Sequence, residues 1–331
     1  MSKLANKRFD GRINGWVNGW IGMLMFSGTL PATKVAVMGF DPLFLTACRG
    51  AIAGILAGGL LLLFRQKRPM RQELIPLAMV ALCVVLGFPM LTAIALKHVT
   101  SAHSMIYIGL LPLFTAIFGV LRGGERPRPV FWLFSAMGSS LVAGFALLGG
   151  ASSSSPGDGL LLAAVIVCGY GYAEGARLAR RLGGWQVICW ALVIALPLML
   201  AAAMVRMPET WEGIRGSSWL GLAYVSLFSM LIGFVFWYRG LALGGIASVG
   251  QLQLLQPFFG LLLSALVLRE PVDLPLFLFL LGVVFCVAFA KRFAGERMPI
   301  ITVKNANNEQ ETKNSASNET HDPAMNTHTQ Q

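Results

Sequence analysis

Long apolar runs alternate with short polar or Gly/Pro-containing connectors over most of the chain. About 20 apolar residues are needed to cross ~30 Å of hydrocarbon, so these runs predict ten membrane spans. The predicted spans are residues 16–37, 42–64, 74–95, 101–121, 129–149, 159–179, 185–205, 218–238, 246–268 and 273–292. Runs such as 60–64 and 276–281 do not alternate between apolar and polar residues, which favours α-helices over the strands of a β-barrel. The pattern therefore predicts an all-α integral membrane protein.

The composition supports a membrane environment and excludes an ordinary soluble enzyme. Of the 331 residues, 56% are hydrophobic and 12% are charged, whereas soluble domains average about 25% charged residues. All five cysteines lie inside apolar runs, without C-x-x-C pairs or nearby histidines in metal-ligand spacing. We therefore expect packed cysteines, no cofactor and no metal site.

The net charge of +11 is explained by membrane topology. With a cytoplasmic N-terminus (residues 1–15), the ten spans place 20 of the 26 lysines and arginines on the inside and five on the outside. This asymmetry follows the positive-inside rule and removes the main argument for nucleic-acid binding. The expected location is a cell membrane, with the bacterial inner membrane favoured, and membrane lipid is an expected partner. Residues 294–331 are polar and are predicted to form a disordered cytoplasmic tail.

An internal repeat divides the membrane part into two halves, residues 16–149 and 150–293. Pro112 and Glu125 are separated by thirteen residues, as are Pro257 and Glu270, and the two pairs are offset by 145 residues. Because each half contains five spans, the halves must cross the bilayer in opposite senses. Inverted repeats of this kind are typical of secondary transporters, which bind substrate in a central cavity between the halves.

The repeated motif resembles the EamA-type signature of the drug/metabolite transporter superfamily. The resemblance rests on a proline within a span, an apolar run and a terminal Glu-Pro, and it is closer in the second half. The residues that carry it are Leu266–Val267–Leu268–Arg269–Glu270–Pro271, Ser27–Gly28–Thr29, Pro31, Asp41–Pro42 and Arg49. The resemblance implies a ten-helix carrier of small metabolites such as amino acids. Substrates vary across the superfamily, so the resemblance does not identify this one.

Two full charges lie well inside the predicted spans, and such charges are functional by default. Arg49 and Glu174 are each seven residues, about 10 Å, from opposite membrane edges, too far apart in depth to pair directly. For Glu174, a role as substrate ligand or proton carrier competes with simple pairing to Arg177, one helical turn away. For Arg49, a structural role is favoured, because the resemblance places an arginine here in carriers of unrelated substrates.

Polar and small residues on the fourth and ninth spans form a second candidate region. Gln253 and Gln256 share one face of the ninth span, and the repeat places Thr115 on the corresponding face of the fourth. This face either lines the cavity or packs helices closely through small residues. Pro112 and Pro257 each free a backbone carbonyl, so each marks a hinge or a static kink. Glu125 and Glu270 are the matching corner residues of the two halves.

Aromatic and glycine residues complete the candidate set. Tyr107, Tyr170 and Trp190 lie deep enough in their spans to stack on a substrate. A ridge of glycines at 50, 54 and 58 predicts close helix packing, either within the monomer or in a homodimer.

The sequence thus predicts a non-enzymatic secondary transporter working by alternating access, with export as the favoured direction. No ATP-binding loop occurs, so any driving force is a gradient: proton antiport through Glu174, or uncoupled facilitated movement. The competing hypothesis is a non-transporting membrane receptor or assembly subunit that signals through the cytoplasmic tail.

Overall fold

A computed structural model describes residues 2–95, 98, 104, 107–148, 157–268 and 274–295. The regular structure of these residues is helical, and none of them forms a strand. The helices are α1 (Ser2–Ser27), α2 (Thr29–Ala36), α3 (Pro42–Leu63), α4 (Arg71–Ala95), α5 (Leu111–Gly123), α6 (Pro129–Leu148), α7 (Asp158–Leu182), α8 (Gly184–Val205), α9 (Gly216–Gly244), α10 (Ile246–Gly250), a 3₁₀ segment (Gln251–Leu255), α11 (Gln256–Leu268) and α12 (Leu274–Phe293).

Seven segments of the described chain are long and apolar enough to cross a membrane, which confirms the prediction of a multi-spanning helical protein. Six are α3, α4 and α6–α9, and the seventh is Ile246–Leu263, which joins α10 to the 3₁₀ segment and most of α11. Helix α5 is apolar but shorter, and the residues before it lie partly outside the description. Most of the predicted tail, from residue 296 onward, also lies outside the described residues.

The first predicted span is not one helix beginning at residue 16. Helix α1 begins at Ser2, and the helical run is interrupted at Gly28 before α2. The hydroxyl of Tyr224 donates to the Met25 carbonyl at 3.1 Å, and its ring lies directly over Gly28. A Cβ at Gly28 would lie 2.2 Å from the Tyr224 oxygen, so a larger residue here would displace the Tyr224 ring.

Two spans contain a π-helical stretch that the apolar pattern did not indicate. The stretches are Ala81–Gly87 in α4 and Val225–Ile232 in α9, and they begin 144 residues apart. A π-helical turn inserts an extra residue into the hydrogen-bond ladder and is often found at functional sites. The distortion thus recurs at nearly the spacing of the sequence repeat.

Contacts between helices are reciprocal when the two halves are exchanged. Helix α1 packs along α9, and its repeat counterpart α7 packs along α4. Helix α5 packs on α7, and its counterpart α11 packs on α1. The pairs α3–α8 and α6–α12 join equivalent positions of the two halves.

Glycines allow the most extensive of these contacts to bring backbones together. A Cβ at Gly240 of α9 would lie 2.6 Å from the backbone nitrogen of Gly19 in α1. The predicted ridge on α3 is likewise used within the chain: Gly50 faces Met199, and Gly54 faces the carbonyl of Leu192. Small residues thus set helix spacing here, as is common in membranes.

Candidate functional site

The carboxylate of Glu125 connects the two halves at the C-terminal end of α7. It accepts hydrogen bonds from the backbone N–H groups of Ile246 and Ala247, both at 2.7 Å, at the first turn of α10. Arg180 of α7 donates to the same carboxylate at 3.1 Å. The α5–α6 connector therefore supplies the side-chain cap of a second-half helix, and a carboxylate is favoured at that end by the helix dipole.

The carboxylate of Glu174, about one and a half turns before Arg180 on α7, is fully buried. It accepts hydrogen bonds from Arg177 on its own helix and from Arg122 of α5 at 3.0 Å. The Glu174–Arg177 pair, one of the two alternatives from the sequence, is present. Arg122 adds a second partner from the other half. Two guanidinium groups thus balance a charge that would be very costly alone in this environment.

A third pair lies at the same end of the molecule. The carboxylate of Glu73, at the start of α4, lies 3.6 Å from the guanidinium of Arg181 and caps the Met70 backbone N–H at 2.9 Å. Each of the three carboxylates is therefore joined to an arginine of the opposite half. We call this set of carboxylates and their arginine partners the charge lock.

A polar cluster lies deeper, where α7, α9 and the 3₁₀ segment meet. The amide nitrogen of Gln253 donates to the Tyr172 hydroxyl at 3.2 Å, and the Tyr172 ring lies 5.6 Å from that of Trp237. The Oε1 atom of Gln253 and the Nε1 atom of Trp237 are buried without hydrogen-bond partners among the described residues. Such groups are costly unless paired, so one acceptor and one donor in this cluster are candidates for contact with a bound molecule.

The sequence analysis selected Tyr170 as a substrate-stacking residue, but the tyrosine that contacts Gln253 is Tyr172. Two residues apart on a helix, the two side chains point in nearly opposite directions, and the apolar pattern of α7 does not distinguish them. Tyr172 faces the buried cluster, whereas Tyr170 packs on Phe118 and lies under the guanidinium of Arg122. Trp237 is fully buried.

The other predicted substrate residues are dispersed. The Thr115 hydroxyl donates to the Leu111 carbonyl at 2.8 Å, and its methyl group faces Gly250 of α10, so its side chain is used in helix packing. Gln256 is half-buried at the start of α11. The Tyr107 hydroxyl bonds to Asp158 at the start of α7, and Trp190 packs against the core from α8.

Both predicted prolines follow a local break. Pro257 lies just after the 3₁₀ segment, and Pro112 lies in the first turn of α5 after a chain turn at residues 109–110. Pro112 is therefore not inside a continuous helix, and a proline is tolerated in a first turn because no N–H is needed there. Glu270 lies outside the described residues.

Arg49 stands apart from the charge lock. Its side chain is partly buried on α3, and its Nε atom is buried without a hydrogen-bond partner among the described residues. For this Nε atom, the carbonyl or loop acceptor that a structural role would provide is absent among the described residues.

Comparison with known proteins decides the family. Residues 14–148 and 155–291 each match the model of the EamA-like transporter family. The chain belongs to this family. It is 66% identical over 274 residues, covering 83% of this chain and 96% of the relative, to "Uncharacterized transporter YdeK" of Bacillus subtilis (strain 168). Like its relatives in the family, it is a multi-pass membrane protein.

Two more distant comparisons extend the family likeness. The chain is 27% identical over 286 residues to the "Probable terminal-alkyne amino-acid exporter" of Streptantibioticus cattleyicolor, covering 83% of this chain and 93% of that protein. One solved crystal structure aligns with a TM-score of 0.73 at 21% identity, covering 86% of this chain and 98% of the other. The structural likeness establishes a shared fold.

Proposed function

We propose that this EamA-family transporter is a secondary carrier that exports small metabolites such as amino acids by alternating access. It performs no chemical conversion. Membership of a transporter family supports carriage, and the printed name of the Streptantibioticus relative supports amino acids and outward movement. The proposed location is the bacterial inner membrane, with both termini in the cytoplasm as the positive charges favour.

The carrier has ten spans in two inverted halves. The 145-residue offset, the recurring π-helical stretches and the reciprocal helix contacts all support this arrangement. Two similar units of opposite orientation can rock about a shared binding region and expose it to either side in turn.

The observation that carries the mechanism is the charge lock. Glu73, Glu125 and Glu174 each join the halves at one end, which the positive-inside rule makes the cytoplasmic end. Opening this end requires separating each carboxylate from its partner in the other half, and water then solvates both. The present structure is thus closed to the cytoplasm, and an exported molecule enters when the lock opens.

Glu174 acts as a lock residue in this proposal. Its carboxylate is held in ion pairs with two arginines, which favours a gating role over the proton-carrier alternative. The Gln253–Tyr172–Trp237 cluster is the proposed substrate-contact region, because it presents unpaired polar atoms and its Trp237 ring contacts Phe26 of the first half.

Flux of radiolabelled amino acids through proteoliposomes tests this function. We expect wild-type vesicles to release or take up at least one amino acid faster than protein-free vesicles. We expect Glu174→Gln to retain the dependence of flux on a pH gradient, if wild type has one, at an altered rate. A mutant that moves substrate at normal rate but loses only the pH dependence would restore the proton-carrier hypothesis.

A further inference from the structure

Arg49 lies in the membrane interior, and its neighbours on the same face of α3 are apolar. It is seven residues from Pro42 at the start of α3, about 10 Å along the helix axis. Leu45 and Ala53, one turn to either side on the same face, are 3% and 0% exposed. A charged group at this depth is costly unless it is paired.

The described helices that pack on α3 supply no counter-ion. Helix α3 packs mainly on α8, residues 184–205. It also contacts residues 88–95 of α4 and residues 216–232 of α9. None of these segments contains an acidic or basic residue. Arg49 is thus a single positive charge among neutral helices.

The acidic residues of the described spans are engaged elsewhere. Glu73, Glu125 and Glu174 belong to the charge lock. Asp41, two turns before Arg49, caps α3 by accepting from the backbone N–H groups of Leu43 and Phe44, both at 3.0 Å. The buried Nε of Arg49 still lacks an acceptor among the described residues.

We propose that Arg49 binds the carboxylate of the transported molecule, an inference that rests on the proposed transport function. A guanidinium group pairs with a carboxylate through two parallel N–H···O bonds. A carboxylate carries one negative charge and so balances the single cation, whereas a dianionic phosphate would leave a surplus charge. The substrate class is therefore monocarboxylates, including zwitterionic amino acids.

Ligand-dependent thermal stability of the purified protein tests this assignment. The probes are the L-amino acids and their matched α-amides, added to protein in a lipid-free, non-ionic detergent, so that no phospholipid headgroup supplies the anion. In wild type, we expect at least one acid to raise the unfolding temperature and its amide to need at least tenfold higher concentration. An equal effect of acid and amide, or no effect of any acid, overturns the proposal.

Matched variants locate the binding charge. Arg49→Gln should raise the half-maximal concentration of the stabilising acid at least tenfold, and Arg49→Lys should give an intermediate value because the charge remains. Arg215→Gln, at an exposed position just before α9, should match wild type. Normal acid binding by Arg49→Gln contradicts the assignment. If Arg49→Gln fails to fold, the acid–amide comparison and the lysine variant still decide.

Flux measurements separate this inference from the proposed function. If wild type carries an acid and Arg49→Gln carries it equally, the transporter remains and the carboxylate assignment fails. If wild type carries none of the acids or amides, the proposed function itself fails.

Discussion

The carboxylate of Glu125 caps the helix that begins at Ile246, with a 2.7 Å hydrogen bond from the Ile246 N–H. The two residues are 121 positions apart and belong to different halves of the chain. A side chain from the α5–α6 connector of the first half thus completes the first turn of a helix in the second half. Separation of the halves at this end would leave the N-terminus of α10 without its cap.

Loss of the Glu125 charge should destabilise the closed state. In Glu125→Gln, Arg180 loses its anion, and one backbone N–H faces an amide NH₂ group. Breaking one partner of a buried pair costs about 3–5 kcal/mol, so we expect the unfolding temperature in detergent to fall by about 5 °C or more. Glu209→Gln, in an exposed connector, is the control and should leave it unchanged. Equal unfolding temperatures for the two variants would contradict the capping role.

The α1–α9 contact should tolerate no side chain at Gly240. In Gly240→Ala the new Cβ meets the backbone nitrogen of Gly19, which cannot move aside without separating the helices. Overpacking of this kind costs about 1–3 kcal/mol, and thermal unfolding in detergent should show the loss. Gly59→Ala provides the control, because that exposed helical position has open space around it. An alanine at 240 that is as stable as one at 59 would refute the close contact.

Weakening the charge lock should expose the interior to the cytoplasm. Cys83 is buried on α4 against Gly171 of α7, one turn from Glu174. In a variant that keeps Cys83 as its single cysteine, Arg122→Gln removes one cross-half partner of Glu174. We expect a membrane-impermeant maleimide to label Cys83 several-fold faster in inside-out vesicles. Arg65→Gln, in an exposed connector, should not change the rate. Unchanged labelling of the Arg122 variant would mean that this pair does not hold the inner end closed.

The polar tail should be dispensable for transport. Deleting residues 297–331 should change proteoliposome flux by less than about twofold, since no step of the proposed mechanism uses them. Loss of activity with normal folding would favour the receptor hypothesis instead.

The sequence predicted the helical membrane fold and the family because apolar length and the repeated Pro-to-Glu spacing are local features of the chain. It offered the Glu174–Arg177 pair as one of two alternatives, because that pair depends only on helical spacing. It did not predict Arg122 as the second partner, because that contact depends on how α5 packs on α7. The break at Gly28 has a local contribution, because Pro31 cannot donate a backbone hydrogen bond to the Ser27 carbonyl. The packing of Gly28 against the ring of Tyr224, about 200 residues away, depends on tertiary structure.

The site was predicted less completely than the fold. Gln253 was chosen because an amide in an apolar span is conspicuous, whereas its partner Tyr172 looked no different from Tyr170. The direction of each side chain depends on the tilt of α7 and on the 3₁₀ segment before Pro257. Neither feature leaves a periodic signal in the sequence.

Reversible cross-linking of the two halves, at the end of the molecule that holds the charge lock, tests alternating access most directly. A Cβ at Gly119 of α5 would lie 3.2 Å from the Cβ of Ile246, close to the separation found in disulfides. In a Gly119→Cys/Ile246→Cys variant without the native cysteines, oxidation should abolish amino-acid flux through proteoliposomes, and dithiothreitol should restore it. Undiminished flux through a fully cross-linked protein would contradict the account, because the inner end would then not need to open.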